Sequence, residues 1–354
     1  MVRVRFSTHL SGGYMKALRL KVGISAIALL ASASVAVVSS TSATADAAVR
    51  WCQGVKIAAF PGGPQGGTFA VNVYNGQVQA AKDLGASVKY YWSDWDPAKM
   101  TSQLKEALAS KPDGIAGIVG MIGDASAGPI IKEAFGKGIV VANANSQLPI
   151  LTPTYAAQGL GFVGATNYKA GVDLANEAIK RGNLAKGSSS FVWGLKGAAG
   201  DRAQRTIGII DALEKAGIKV VYQEIDQATN TTPASGAPTF VGVMQKNPDI
   251  KSVFLDHGGL TATAETYLKA ASIKPGGVYV AGFDMSPAVG TAIKSGYLSL
   301  VIDQQEWLQG YLPILQVCLT KKYAFAGLDI NTAGGFIDKS NVAIIAPLAA
   351  KLIR

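Results

Sequence analysis

The stretch VYVAGFDMSP, Val278–Pro287, sets an unbroken apolar run against an aspartate, Asp284, with a proline three residues further on. An apolar run that does not alternate with polar residues reads as a strand buried on both faces, as in a parallel sheet. Asp284 then stands at the carboxyl end of that strand, where open parallel sheets present their ligand-binding loops. Nine more short apolar runs share the character: VKIAAF, SVKYYW, GIAGIV, GIVVAN, GFVGAT, SSFVWG, IKVVYQ, SVFLDH and LSLVID. Segments of helical period separate them, at 69–84, 97–110, 125–135, 168–180, 202–216, 239–246, 260–271, 287–294 and 306–319. Strands alternating with helices of this length predict crossover units, and hence an α/β protein of parallel sheets with helices on both faces. Asp96 before Pro97 reads as an N-cap followed by a first-turn proline, and Asp201 and Ser286 are placed to cap the helices after them.

Ten strands exceed one comfortable sheet of this kind. A polar break at GFVGATNYKAG, 161–171, divides the chain into two similar runs of units, about 49–163 and 164–300. Gln227–Pro238, QATNTTPASGAP, has the composition of an extended loop.

At 354 residues and 49% hydrophobic, the chain can bury about 75% of its unfolded surface, enough for two domains. Its net charge of +10 is uneven: five of the 33 basic residues and one of the 23 acids lie in the first 47, so the rest carries +6. Those remaining charges are scattered and not interleaved with aromatics, which reads as a solvated surface and not a nucleic-acid footprint. The first 47 residues read as a cleavable secretory signal peptide: basic MKALRLK, apolar VGISAIALLASASVAVV, and A-x-A sites ending at Ala45 or Ala47. The basic stretch begins at Met15, a candidate translation start. The alternative of a retained anchor meets a difficulty, since seventeen apolar residues barely span a bilayer. The body is thus expected in the periplasm, an oxidising compartment, where Cys52 and Cys318 form one disulfide or remain two buried thiols.

The segments after the strands are rich in Asp, Asn, Gln, Arg and aromatic residues: FPGGPQGGTF, WSDWDPAK, NANSQ, GLKGAAGDRAQR, DHGG, FDMSP and DQQEW. Planar carboxylates, amides and guanidinium groups bond neighbouring hydroxyls, and aromatic faces cover C–H patches, so the inventory suits a neutral, hydroxyl-rich ligand. Each residue also has a plainer role. Asp284 is placed to cap the following helix, Arg205 to pair with Asp201, Phe69 and Trp95 to fill a core, and His257 to tie a loop. PGGPQGG lacks the Lys-Ser or Lys-Thr of a phosphate loop. With two histidines, one of them in the leader, no multi-histidine metal site is expected, and no serine or cysteine nucleophile motif occurs. A paired-carboxylate hydrolase using Asp94, Asp96, Asp256 or Asp284 is the remaining enzymatic alternative.

GFD after a late strand, with VIDQQ one unit on, in an exported, cysteine-poor, two-lobed chain, resembles the periplasmic sugar-binding proteins of the ribose/galactose type. These are type I periplasmic binding proteins, the substrate-binding components of sugar ABC transporters. The resemblance spans 55–342. It implies two doubly wound parallel-sheet lobes joined by a three-stranded hinge, no enzymatic activity and no cofactor or metal. It divides the chain into lobes 48–164 plus 305–331 and 165–304 plus 332–354. By position, the implied ligand-binding set is Phe69 as a stacking aromatic, Trp95, Asn145, Arg205, His257, Asp284 and the hinge residue Gln304. Asn145 stands where the family usually has Asp and His257 where it often has Asn. Trp193 with Trp95 adds bulk to the pocket, and Gly120-Met121 replaces an Asn, all of which point away from plain ribose. Hinge crossings are implied near 164–167, 303–306 and 331–336, which puts Cys318 in the lobe of Cys52 and favours the disulfide. The implied partners are a small neutral sugar or polyol and the membrane permease of an ABC transporter, with a chemoreceptor or sensor kinase as the alternative output. No nucleic acid is expected, the signal peptide standing where a regulator of similar core would carry its DNA-binding helices, and the chain is expected to be monomeric.

Overall fold

Two six-stranded sheets organise the computed structural model, which describes residues 50–354. The expected signal peptide and the candidate start at Met15 lie outside the described residues. The first sheet holds β1 (Lys56–Phe60), β2 (Ser87–Tyr90), β3 (Gly114–Gly117), β4 (Val140–Ala144), β5 (Gly161–Gly164) and, late in the chain, β11 (Asp329–Asn331). The second holds β6 (Ser189–Gly194), β7 (Lys219–Glu224), β8 (Ile250–Leu255), β9 (Tyr279–Phe283), β10 (Leu300–Asp303) and β12 (Gly335–Ile337). Their orders, 2-1-3-4-5-11 and 7-6-8-9-10-12, are the same doubly wound pattern twice. Every pairing is parallel except that of β12 with β10.

The helices are α1 (Thr68–Leu84), α2 (Pro97–Ala109), α3 (Gly123–Gly136), α4 (Leu151–Tyr155), α5 (Asn167–Gly182), α6 (Arg202–Lys215), α7 (Gln227–Thr231), α8 (Ala237–Lys246), α9 (Gly258–Ala270), α10 (Pro287–Ser295), α11 (Glu306–Tyr323) and α12 (Val342–Ala349). The chain changes sheet between β5 and α5, between β10 and α11, and between β11 and β12, so three segments cross between two lobes.

Central strands such as β4 and β6 are buried throughout, as unbroken apolar runs require, but the edge strands β2 and β7 are half exposed because each has a neighbour on one side only. Asp96 caps α2, accepting from the Ala98 and Lys99 amides at 2.8 and 3.1 Å, and Ser286 caps α10 through the Val289 amide. Asp201 does not cap α6. Its carboxylate instead accepts from the Gln147 amide of the other lobe at 2.9 Å and from Asn167 at 2.6 Å. Gln227–Pro238 is not an extended loop: it forms α7, a 3₁₀ turn at Pro233–Gly236 and the start of α8. β11 and β12, three residues each, add to the ten strands read from the sequence.

One helix pair in each lobe packs at backbone contact. A Cβ on Gly76 of α1 would lie 2.0 Å from the Trp307 carbonyl oxygen of α11, and one on Gly310 1.9 Å from that of Val73. Between α5 and α6 the equivalents are Gly171 against Arg205, 2.1 Å, and Gly208 against Tyr168, 2.3 Å. Cys52 and Cys318 form a disulfide beneath the first sheet, among Val55, Ile57, Ile314 and Val317.

Candidate functional site

The carboxyl ends of both sheets face a single cleft of about 330 Å³. From the first lobe it is walled by Pro64 to Phe69 after β1, Trp95 after β2, Met121 after β3 and Asn145 after β4. From the second come Leu195 to Arg205 after β6, Glu224 to Pro233 after β7, His257 to Gly259 after β8 and Asp284 after β9. Opposed βα loops thus build the wall, as doubly wound sheets provide.

Phe69 and Trp95 meet edge to face at 5.7 Å between ring centres. Trp95 lies flat over Gly62 and Gly63, where a Cβ on Gly63 would stand 2.7 Å from the indole. The glycine-rich turn is therefore a seat for an aromatic wall.

Arg205 is 2% exposed and divides its guanidinium among three acceptors: Nε to Asn167 Oδ1 at 3.0 Å, one terminal nitrogen to the Asp256 carbonyl at 3.2 Å, the other to Gln304 Oε1 at 2.6 Å. It stacks 4.4 Å over the Phe283 ring. Burial, with Arg202 beside it, pulls its pKa down to about 10, so it stays charged at neutral pH. It does not pair with Asp201. Gln304 turns its amide to Asp284 Oδ1 at 2.5 Å, which completes a chain from Arg205 through Gln304 to Asp284. Gln304 is fully buried and stands behind the cleft wall, not in it.

Asp284 does not cap α10, a task Ser286 performs. Its backbone is left-handed, φ +75°, and its Oδ2 is buried with no protein partner. Burial pushes its pKa up while Arg205 pulls it down, and burial prevails. Asn145, φ +67°, donates to Gln309 Oε1 at 3.3 Å, and Gln309 in turn holds the Gln304 carbonyl and Thr332. A buried amide network thereby runs under the cleft through all three crossings.

His257 Nδ1 accepts from the Gly259 and Leu260 amides at 3.0 and 3.4 Å and so carries no proton. Burial, reinforced by Arg202, holds the pKa down at about 3, so the ring is neutral and its proton sits on Nε2, a buried donor without a protein partner. Asp256 belongs to the support: burial pushes it up, but Arg202 and Arg205 outweigh that and hold it below the ordinary range. It binds Arg202, Thr206 and the Leu195 amide.

Trp193, read from the sequence as pocket bulk, is instead fully buried among Phe191, Phe240 and Tyr267. Arg202, Gln227, Asn230 and Thr231 line the cleft and were not singled out by sequence. For Arg202 the signal was there: it lies three residues before Arg205, one helical turn away on the same face. Among the described residues no cluster of three or more His, Cys, Asp or Glu could hold a metal ion, and no helix is long and apolar enough to cross a membrane.

The periplasmic binding protein domain model matches residues 57–319. A xylose/arabinose-binding protein of Sulfolobus acidocaldarius is 26% identical over 268 residues, 72% of this chain and 64% of that protein. A D-ribose/D-allose-binding protein of Pseudomonas aeruginosa is 27% identical over 176 residues, 50% of this chain and 53% of that protein. The match thus covers less than two thirds of either relative. Among solved structures, a carbohydrate transporter of Acidothermus cellulolyticus in complex with myo-inositol superposes with a TM-score of 0.71, 22% identity, over 85% of this chain and 99% of its own. A solute-binding protein of Agrobacterium vitis with bound D-fucose gives 0.73 at 20% identity, over 84% and 99%. The two six-stranded sheets, the cleft between their carboxyl ends and the family match over most of the chain together show that this protein belongs to the periplasmic binding protein family, in its type I fold, a family of binders and not of enzymes.

Proposed function

We propose that the protein is exported by its cleavable signal peptide and, as a monomer in the periplasm, captures a small neutral sugar or polyol and delivers it to the membrane permease of an ABC importer. The observation that carries this is the pairing of buried, unpartnered groups, Asp284 Oδ2 and His257 Nε2, with an aromatic wall in one cleft of about 330 Å³. An acceptor and a neutral donor waiting in a desolvated site are what hydroxyl groups satisfy, and the volume lies at the small-ligand end of the range for such pockets. Phe69, Trp95, Asn145, Arg205, His257 and Asp284 form the binding set on this reading, with Gln304 aligning Arg205 and Asp284 from behind. The names of the relatives, which bind pentoses and hexoses, support the ligand class.

Lobes 48–164 plus 305–331 and 165–304 plus 332–354 move as two bodies about the three crossings. Contacts across the cleft favour the closed form: Asp201 with the Gln147 amide, and Gly200 against Gly123, where a Cβ on Gly200 would stand 2.9 Å from the Gly123 Cα. A ligand that touches both lobes shifts the population toward closure, and the permease reads that state.

The test is the melting temperature of the mature chain from Ala48 against pentoses, hexoses, polyols and inositols. A native-state ligand at ~100-fold its dissociation constant adds about 2.7 kcal/mol. A large shift confined to one stereochemical group is expected, and no shift with any member of the panel would overturn the reading.

A further inference from the structure

We propose that Glu306 is a positioning residue of the binding site: it keeps a proton and donates it to Oδ2 of Asp284, so that two buried carboxyl groups share one negative charge. Glu306 opens α11 at the second crossing between lobes and is fully buried. Its two carboxyl oxygens and Asp284 Oδ2 are the carboxyl oxygens that stand buried without a partner among the described residues, and the two side chains lie within hydrogen-bonding reach of each other. Neither takes part in an ion pair there. Two carboxylates cannot both remain charged at such a place, whereas one shared proton satisfies both at once.

The surroundings decide which acid keeps the proton. Arg205 of α6, linked through Gln304, favours charge on Asp284. Glu306 has no cation: Asp303 at the end of β10 adds a like charge and is itself occupied by Arg354. Of the elements α11 packs against, β3, β4 and β5 carry no titratable side chain. On α1, Asp83 is taken by Gln79 and Tyr311, and Lys82 is exposed in the last turn. Asp256 and His257, after β8, are spoken for by Arg202 and by the α9 amides. Burial and these like charges push the Glu306 pKa well above the ordinary glutamate range.

The shared proton belongs to the ligand-free protein and occupies one of the two acceptor sites of Asp284 Oδ2, leaving the other for a ligand hydroxyl; that it presents Asp284 to a ligand rests on the receptor reading. Two measurements therefore need no ligand. The infrared spectrum at about pH 7.5 is expected to show a protonated-carboxyl band that Glu306→Gln, which keeps a donor toward Asp284, removes. Unfolding the unaltered protein at that pH is expected to release about one proton, since an ordinary glutamate is ionised there. No such band, a band that survives in Glu306→Gln, or no proton released would each overturn the proposal, and the proton count decides it should that variant not fold. With the panel sugar of largest melting shift as probe, Glu306→Gln should bind within about twofold of the unaltered protein and Glu306→Leu at least about fivefold more weakly. Equal affinity in all three would remove the positioning role.

Discussion

Asp284 shows why a buried strand should end in an acid. Its left-handed backbone, with those of Asn145 and Trp95, stores strain of the order of 1–3 kcal/mol where the cleft needs a side chain aimed away from the strand's course. Asp284→Ala removes the waiting acceptor and strands the Gln304 amide, so ligand affinity should fall by about 100-fold in calorimetric titration. Arg205→Lys keeps the charge but cannot reach Asn167, Asp256 and Gln304 together or lie over Phe283. It should cost about 2–4 kcal/mol in denaturant unfolding and weaken binding as well. His257 sets an acid limit. The folded ring, held at about 3, stays neutral where the unfolded ring, near 6.5, takes up a proton, so stability is lost as pH falls below about 6.5. Thermal melts from pH 7 to 5 should fall more steeply for the unaltered protein than for His257→Gln, by up to about 1 kcal/mol per pH unit. Asp284, Arg205 and His257 were legible because each follows a strand that the sequence marks plainly. Glu306 was not, since its meaning comes from meeting Asp284 across twenty-two residues and a change of lobe.

The helices were legible where caps and apolar period agreed, as at α2 and α10. The short α4 and α12 were not read from the sequence, and the stretch from Gln227 to Pro238 was misread, its Thr, Asn, Pro and Gly looking like loop composition. Pro233 and Pro238 sit instead in first turns, where proline starts a helix, and Asp226 supplies the cap to Thr229. β11 and β12 are too short to leave a pattern and exist because a partner strand offers an edge. The glycines of the two close helix pairs carry a further expectation. Gly310→Ala would drive a methyl into a backbone carbonyl that cannot step aside, and should destabilise the first lobe by about 3 kcal/mol or more, measured by urea unfolding.

For the whole molecule, two lobes were legible because one doubly wound pattern repeats. Their interleaving was not written in any local feature. The disulfide answers a question that spacing left open, and Cys52→Ala with Cys318→Ala should lower stability by about 2–5 kcal/mol while leaving sugar affinity unchanged, since the bond lies under the sheet and away from the cleft. Denaturant curves with and without a reducing agent, beside titration of the double variant, check both halves.

That bond also imposes a timetable on biogenesis. A polypeptide emerging amino end first delivers Cys52 at once but must wait 266 residues for Cys318, through the entire run that supplies β6 to β10. Until α11 and β11 arrive, the earlier sheet lacks both its sixth strand and the helix that covers one face. The lobe that begins first thus stays open until nearly the whole chain has emerged.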